Sequence, residues 1–284
     1  MLRLKCPVCG AVLWENNKGY FCPKGHSYDK AKHNYVNLLM SNKKSDKRHG
    51  DDKLMVKART DFLDKGYYKC LQDALCAAAT KHCGNYVNLL DVGCGEGYYT
   101  SAVKRALEES GKECDALGLD ISKEALIAAN KRDKSLRLVV GSSYSLPVLD
   151  DSCDIVMNVF APLDDAEVLR VLTPGGVVIK AVPGRGHLMG LKRAVYDVPY
   201  ENPEPEYLPE GFEEIETIDV RDAITLYDED IGNLFKMTPY YYKTGREDQQ
   251  KLEALNTLTT ELEFRVYVLR KNSDGIKGEK YVQI

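Results

Sequence analysis

One stretch of the chain, from residue 87 to residue 183, alternates between short apolar runs and segments with helical periodicity. Five apolar runs have the length and composition of buried strands, and they cover residues 87–93, 114–121, 137–143, 153–160 and 175–183. Buried strands separated by helices of about ten residues are typical of a parallel sheet covered on both faces. The pattern therefore predicts an α/β fold with a Rossmann-like, mostly parallel sheet. Residues 262–272 predict a final antiparallel strand.

The turn after the first strand reads DVGCGEGYYT and limits which ligand the sheet can hold. Ligands of such sheets bind beyond the carboxyl ends of the strands, where the strand order reverses. A dinucleotide site would read G-x-G-x-x-G, with a pyrophosphate at the start of the helix. Here Gly93, Gly95 and Gly97 are spaced G-x-G-x-G, and Tyr98 occupies the place of the third dinucleotide glycine. Asp91 would also repel an anion, so the turn favours a ligand that carries positive charge.

Asp120 ends the second strand, where its carboxylate could accept both hydroxyls of a ribose. A ligand with a ribose, a cationic part and no pyrophosphate matches S-adenosylmethionine, the methyl donor of class I methyltransferases. The glycines could instead serve only a tight turn, and Asp120 could cap the helix that follows it. The coincidence of all these residues at strand ends favours the cofactor site.

The amino-terminal segment carries two short pairs of metal-ligand residues. Cys6 and Cys9 form C-x-x-C, and Cys22 and His26 form C-x-x-x-H. Two such pairs supply the four ligands of a tetrahedral zinc ion and leave no open position for catalysis, so a structural zinc is expected. A redox C-x-x-C normally opens a helix in a βαβ unit, which these residues do not predict. A chance cluster at this spacing is improbable.

The residues between the two pairs predict a short hairpin in which Trp14, Tyr20 and Phe21 pack on one another. A segment this small has little hydrophobic core. The metal would therefore supply much of its folding free energy.

Charge is distributed unevenly along the chain. Residues 1–60 contain thirteen basic and five acidic side chains, whereas the remainder contains 26 basic and 38 acidic ones. A basic module joined to an acidic body favours contact with a polyanion, and nucleic acid is the first candidate. An uneven solvated surface would give the same count. Within a polar linker at residues 41–52, four cations could contact phosphates or be plain solvated charge; they are Lys43, Lys44, Lys47 and Arg48.

No apolar run approaches the roughly 18 residues that a membrane span needs, and the first residues lack the apolar segment of a signal peptide. Nine cysteines, an odd number, favour reduced thiols and metal ligands over a disulfide framework. We therefore expect a cytoplasmic protein without a membrane partner.

Together these features resemble one family, the bacterial large-subunit (23S) ribosomal RNA guanine-N(1)-methyltransferases. The matching words run in the same order from residue 6 to about residue 242, and they are CPVCG…CPKGHSYD, YVNLL, FLDKGYY, LLDVGCGEGYYT, LGLDISK, SSYSLP, APL, LTPGG, PGRGHLMGLK and MTPYYY. The cofactor motifs alone would indicate only a class I methyltransferase. Their combination with this zinc pattern is specific. Residues 245–284 resemble the family least.

The resemblance implies transfer of a methyl group from S-adenosylmethionine to N1 of a guanine in a stem-loop of 23S ribosomal RNA. It implies that the four cysteine and histidine ligands hold zinc and that the zinc module binds RNA. The resemblance favours a homodimer, while the residues themselves leave the oligomeric state open. The expected cofactor contacts are Tyr68, Asp91, Gly93, Gly95, Glu96, Gly97, Tyr99, Thr100, Asp120 and His187.

Three residues at the end of the fourth strand, Asn158, Phe160 and Pro162, are expected to face the target guanine. Phe160 is expected to stack on that base once it is unstacked from its neighbours. The sequence marks no residue as the general base.

The expected organisation is a zinc-ribbon-like RNA-binding module at residues 1–40, a basic linker and helix at 41–66, and a Rossmann-like methyltransferase domain at 67–284. Two alternatives stay open at this point. One is a small-molecule methyltransferase whose zinc module is a lid, and the other is a non-catalytic zinc-bearing RNA-binding protein or ribosome assembly factor.

Overall fold

The structure is a computed structural model that describes residues 2–40, 50–242 and 244–272. The strands in chain order are β1 (Trp14–Glu15), β2 (Gly19–Phe21), β3 (Ser27–Asp29), β4 (Tyr35–Asn37), β5 (Tyr86–Val92), β6 (Glu113–Asp120), β7 (Arg137–Val140), β8 (Cys153–Val159), β9 (Leu172–Pro183), β10 (Phe212–Tyr227) and β11 (Thr257–Lys271). The helices are α1 (Lys53–Asp64), α2 (Lys69–Lys81), α3 (Tyr98–Glu109), α4 (Lys123–Arg132), α5 (Asp165–Val171), α6 (Met189–Val195), α7 (Glu229–Lys236) and α8 (Arg246–Glu253).

An eight-stranded sheet organises the molecule, with the strand order β10-β11-β9-β8-β5-β6-β7-β4. The six strands from β9 to β4 in this order are parallel to one another, and β11 and β10 are added antiparallel at one edge. The five predicted parallel strands are β5 to β9, so the mostly parallel sheet is confirmed. The chain order reverses between β5 and β8, and a ligand site is expected beyond the carboxyl ends of these two strands.

Both faces of the sheet are covered. Leu89 and Leu90 are neighbours on β5 and therefore point to opposite faces, yet both are fully buried and belong to two different core clusters. The first cluster contains buried residues of α2, α3 and β11. The second contains Leu2, Leu4 and Leu13 of the amino-terminal module, so the module packs directly on one face of the sheet.

The amino-terminal module forms a separate three-stranded sheet of order β1-β2-β3. The predicted hairpin is confirmed, because Trp14 on β1 pairs with Phe21 on β2. Only these two of the three predicted aromatic residues face each other. Tyr20 alternates to the opposite side of the strand, is buried, and joins the second core cluster.

Three strands were not expected from the sequence. β3 pairs antiparallel with β2 and extends the predicted hairpin. β4 lies within the predicted module at residues 1–40 but pairs parallel with β7 of the large sheet. Three residues are too few to show a period of two. β10 is a sixteen-residue edge strand, and it carries charged residues at many positions, which is how natural edge strands avoid pairing with other chains.

The linker cations named above, Lys43, Lys44, Lys47 and Arg48, lie outside the described residues. Across the ranges that the structure describes, no helix combines the length and the apolar character that a membrane crossing requires.

Candidate functional site

A cavity of about 650 Å³ opens beyond the carboxyl ends of β5, β6 and β8, at the place where the strand order reverses. Its floor is the glycine turn after β5. Its walls come from the loops after β6, β7, β8 and β9, and from helix α1. The cavity therefore lies where this sheet topology predicts a ligand.

The glycine turn has a backbone that other residues adopt with difficulty. Gly93, Gly95 and Gly97 all have positive φ angles, of 82°, 55° and 74°. A Cβ atom at Gly93 would lie 2.3 Å from the Cβ of Ala161 in the loop after β8. Glycine is needed here because the turn is left-handed and passes close to the neighbouring loop.

Asp91 is buried at the base of this turn. One carboxylate oxygen, Oδ2, accepts a hydrogen bond from the hydroxyl of Thr100. The other, Oδ1, is buried and has no hydrogen-bond partner among the described residues. Burial raises the pKa of Asp91 to about 7, and the nearby carboxylates of Asp120 and Glu96 add to the rise. A buried acceptor without a partner calls for an explanation, and a bound cation or donor supplies one.

Asp120 holds the turn against the end of β6. Its Oδ2 accepts from the backbone N–H of Gly95 at 2.9 Å, and its Oδ1 accepts from the N–H of Ser122 at 2.8 Å. The alternative role as a helix cap is excluded, because the cap of α4 is the Ser122 side chain, which accepts from the N–H of Ala125. Burial raises the pKa of Asp120, while Arg59 partly opposes the rise.

Tyr68 and His187 meet in the cavity wall although they are 119 positions apart in the chain. The Tyr68 hydroxyl lies 3.4 Å from Nε2 of His187. Nδ1 of His187 accepts from the backbone N–H of Glu263 at 3.3 Å, and burial lowers the pKa of His187 to about 3. The imidazole is therefore neutral with its proton on Nε2. The Nε2–H group donates a hydrogen bond to the Tyr68 oxygen. The hydroxyl hydrogen of Tyr68 can therefore be donated to a ligand.

Eight of the ten predicted cofactor residues line the cavity, and two lie behind it. Gly97 is the N-cap residue immediately before α3, and a Cβ there would meet Ala129 of α4 at 3.1 Å, so it allows two helices to pack closely. Thr100 is fully buried and supports Asp91. Both residues shape the site without forming its surface.

The four predicted metal ligands come together in the amino-terminal module. The ligand atoms of Cys6, Cys9, Cys22 and His26 all lie within 4.8 Å of one another. Sγ of Cys9 lies 3.7 Å from Sγ of Cys22, and Nδ1 of His26 lies 3.3 and 3.6 Å from the sulfurs of Cys22 and Cys6. A tetrahedron with ordinary zinc–sulfur and zinc–nitrogen bond lengths has edges of roughly 3.5–3.8 Å. The cluster therefore has the size and donor set of a structural zinc site.

Two family models match the chain. The model described as "RlmA, N-terminal", a zinc ribbon, matches residues 4–47, and the model described as "Methyltransferase domain" matches residues 89–176. Their order along the chain agrees with the module and the cavity described above.

Three curated relatives match most of the chain. The 23S rRNA (guanine(748)-N(1))-methyltransferase of Streptomyces fradiae is 34% identical over 68% of this chain and 67% of its own length. The chain belongs to the 23S rRNA guanine-N(1)-methyltransferase family. A putative member from Micromonospora griseorubida is 32% identical over 66% of this chain and 68% of its own length. Another, YxjB of Bacillus subtilis, is 28% identical over 89% of this chain and 92% of its own length.

S-adenosylmethionine, the cofactor of class I methyltransferases, fits the residues of this methyltransferase. The unpartnered oxygen of Asp91 suits a cationic ligand, and Asp120 lies at the end of β6, where a ribose is expected. Within the described part of the cavity wall, the carboxylates outnumber the cations, because Asp51, Glu96, Asp91 and Asp120 face a single arginine. A pyrophosphate would be repelled there.

That arginine, Arg59 on α1, was not found from the sequence. Its Nε donates to Oε2 of Glu96 at 2.7 Å, and its Nη1 lies 2.6 Å from Oδ2 of Asp51. Arg59 thus joins α1 to the glycine turn of the methyltransferase and forms ion pairs with two carboxylates, Glu96 in the turn and Asp51 before α1. Because Arg59 and Glu96 are 37 positions apart, no local sequence pattern indicates the pair.

Of the three residues expected to face the target base, two line the cavity and one does not. Phe160 and Pro162 line the cavity, and Phe160 is 44% exposed with a positive φ of 56°. The expectation for Asn158 is not met. Its side chain is fully buried, and its Nδ2 donates to the carbonyl of Val92 at 2.8 Å. Asn158 points towards β5 and supports the glycine turn from below.

Proposed function

We propose that this protein transfers a methyl group from S-adenosylmethionine to N1 of a guanine in a stem-loop of 23S ribosomal RNA. The observation that carries the proposal is the combination, in one chain, of the cavity with the unpartnered Asp91 oxygen and the four-ligand metal cluster. The relative from Streptomyces fradiae is named as a 23S rRNA guanine-N(1)-methyltransferase, and the one from Bacillus subtilis, which matches 89% of this chain, is named as a putative one.

The residues of the cavity bind and orient the two reactants. S-adenosylmethionine supplies the methyl group on a cationic sulfur, which becomes a neutral thioether leaving group. Asp91 would hold a cationic group of this ligand, and the Tyr68 hydroxyl would donate a hydrogen bond to it. Transfer requires the guanine nitrogen and the methyl carbon to be in line, so most of the catalytic effect of the protein is positioning.

The target base must leave its helix before it can react. N1 of guanine lies on the Watson–Crick edge and is blocked in a paired stem, so the base enters the cavity unpaired. Phe160 is the exposed aromatic residue at the end of β8, and we propose that it stacks on the guanine. Methylation would form a bond between N1 and the methyl carbon, break the bond from sulfur to that carbon, and release the N1 proton to solvent water.

The role of Phe160 can be tested by comparing Phe160→Ala with Phe160→Leu. Stacking of a base on an aromatic ring contributes about 1–3 kcal/mol, so the alanine variant should lose about 5- to 150-fold in kcat/KM for RNA. The leucine variant keeps apolar volume without an aromatic face and should lose nearly as much. Calorimetry should find unchanged affinity for S-adenosylmethionine in both. Unchanged turnover on RNA would show that the assignment is wrong.

We also propose the division of labour expected from the sequence: residues 1–40 bind RNA, residues 41–66 connect, and residues 67–284 perform methyl transfer. The proposed substrate implies action in the cytoplasm. The homodimer stays a prediction, and light scattering of the purified protein checks it.

The substrate class is tested with tritiated S-adenosylmethionine. Bare 23S rRNA, transfer RNA and a metabolite extract are offered separately at two salt concentrations. The proposal expects label in 23S rRNA, with weaker labelling at higher salt because phosphate contacts are screened. Label in small molecules would favour a metabolite methyltransferase, and cofactor binding without labelling would favour a non-catalytic RNA-binding protein.

A further inference from the structure

An exposed pair of aromatic rings lies on the hairpin of the amino-terminal module, outside the cavity. Trp14 on β1 and Phe21 on β2 are opposite each other in register, with ring centroids 5.9 Å apart. Trp14 is 47% exposed and Phe21 is 38% exposed, whereas Tyr20, on the other side of β2, is buried. The hairpin thus presents a small aromatic surface on the side away from its core.

The fold does not need these two rings for its own packing. Neither residue belongs to either of the two buried clusters, and the module is held to the large sheet by Leu2, Leu4 and Leu13. Large aromatic side chains dominate the energetics of interfaces, and grouped exposed apolar residues are a common sign of a binding surface.

The charge around the pair indicates the kind of partner. Residues 2–40 contain six basic and two acidic side chains, and one of the acids, Glu15, is paired with Lys30. The other cations, among them Lys18 and Lys24, form no ion pair with any residue that the structure describes. Three thiolates and a zinc ion together add one negative charge, so the module stays positive. A net positive charge on a module that also exposes two aromatic rings matches single-stranded nucleic acid, which offers phosphates and stacking bases together.

We infer that Trp14 and Phe21 form a stacking platform for unpaired bases of the RNA substrate, while neighbouring cations contact its phosphates. This inference rests on the proposed function and adds a second contact region to it, separate from the base bound in the cavity. The platform would hold bases flanking the target without reading their identity, because every base has a flat aromatic face.

Trp14 is the single tryptophan of the chain, so its fluorescence reports directly on this surface. The test uses the full-length, zinc-loaded protein and a transcript of 23S rRNA, with a fully paired RNA duplex of two strands as the control. The inference expects the 23S transcript to quench the emission and the duplex to leave most of it, because paired bases stacked within a helix offer no free faces along its length.

Substitutions test the same point through binding. Trp14→Ala and Phe21→Ala should each weaken binding to the 23S transcript by about 5- to 150-fold. Trp14→Phe should retain most of the affinity. Tyr86→Ala is the matched control, because Tyr86 is 72% exposed at the amino end of β5, opposite the cavity. One zinc per chain in each variant confirms that the module is folded.

The outcomes separate this inference from the proposed function. If the wild-type protein methylates 23S rRNA while its emission is unchanged and both alanine variants bind normally, the platform is wrong and the proposed function stands. If the wild-type protein neither binds nor methylates RNA, both are wrong. Equal losses in Tyr86→Ala and Trp14→Ala would also overturn the platform.

Discussion

Replacing Asp91 with asparagine should weaken S-adenosylmethionine binding and, at the same time, stabilise the protein. The two effects have opposite signs because Asp91 has a buried oxygen without a partner among the described residues. Without a ligand, the buried charge of this carboxylate lowers the stability of the folded protein. When a cationic ligand is bound, the same charge attracts the ligand and strengthens its binding. Asparagine keeps the size of the side chain and can still accept the hydrogen bond from Thr100.

The magnitudes follow from burial and charge. A hydrogen bond to a charged group contributes about 1.5–3 kcal/mol, so the dissociation constant should rise about 10- to 150-fold. For stability, Asp91 ionises near its ordinary pKa of 3.8 in the unfolded chain but at about 7 in the folded protein. Between these values the folded state binds more protons, so stability falls as the pH rises to 7 and stays lower above it. The difference corresponds to at most about 4 kcal/mol, which the asparagine variant avoids.

Calorimetry at pH 6 and pH 7 measures the binding effect. The wild-type protein should bind the cofactor about fivefold more tightly at pH 7, because the ligand must displace a proton from Asp91 at the lower pH. Asp91→Asn should show no such difference, and its melting temperature at pH 8 should be higher. Thr100→Val is the companion variant. The hydrogen bond from the Thr100 hydroxyl lowers the pKa of Asp91, so removing this hydroxyl should raise that pKa and move the midpoint of the pH dependence upward. Equal affinity in the wild type and Asp91→Asn, together with a lower melting temperature in the variant, would refute the reasoning.

Three further substitutions test other parts of the structure. Cys9→Ser should lose zinc and unfold the amino-terminal module at temperatures where the wild type is folded, as measured by metal analysis and thermal denaturation; full retention of zinc would contradict the four-ligand site. Arg59→Met should destabilise the protein by about 3–5 kcal/mol because it leaves Glu96 buried and unpaired. Adding Glu96→Gln should recover most of this loss, as measured by denaturant unfolding. If the losses of the two substitutions add instead, the ion pair is contradicted. Gly93→Ala should reduce both stability and cofactor affinity more than Gly111→Ala, which has a similar φ of 83° but open space around it; equal losses would show that the close contact is unimportant.

The parts of the fold that the sequence predicts are those encoded by local patterns. The strands β5 to β9, the helices between them and the hairpin of the module each show a period or a spacing within about ten residues. The metal ligands form two pairs of residues that are close in sequence, and the glycine turn is one continuous sequence motif. For each of these, the local pattern and the tertiary environment favour the same structure.

The parts that the sequence does not predict depend on contacts between distant residues. The ion pair between Arg59 and Glu96 exists only because α1 folds over the glycine turn. Asn158 was expected in the cavity because it lies at the end of a strand, but its side chain is buried and donates to the carbonyl of Val92 on the neighbouring strand β5 instead. The three residues of β4 have no pattern of their own and become a strand by pairing with β7.

The most direct test of the proposed reaction is the identity of the methylated nucleoside. Purified enzyme is incubated with S-adenosylmethionine and 23S rRNA. The RNA is then digested to nucleosides, which are separated by chromatography and identified by mass spectrometry. The account predicts 1-methylguanosine, formed only with zinc-loaded protein. A methyl group on any other guanine position, on another nucleoside, or on no RNA at all would contradict it.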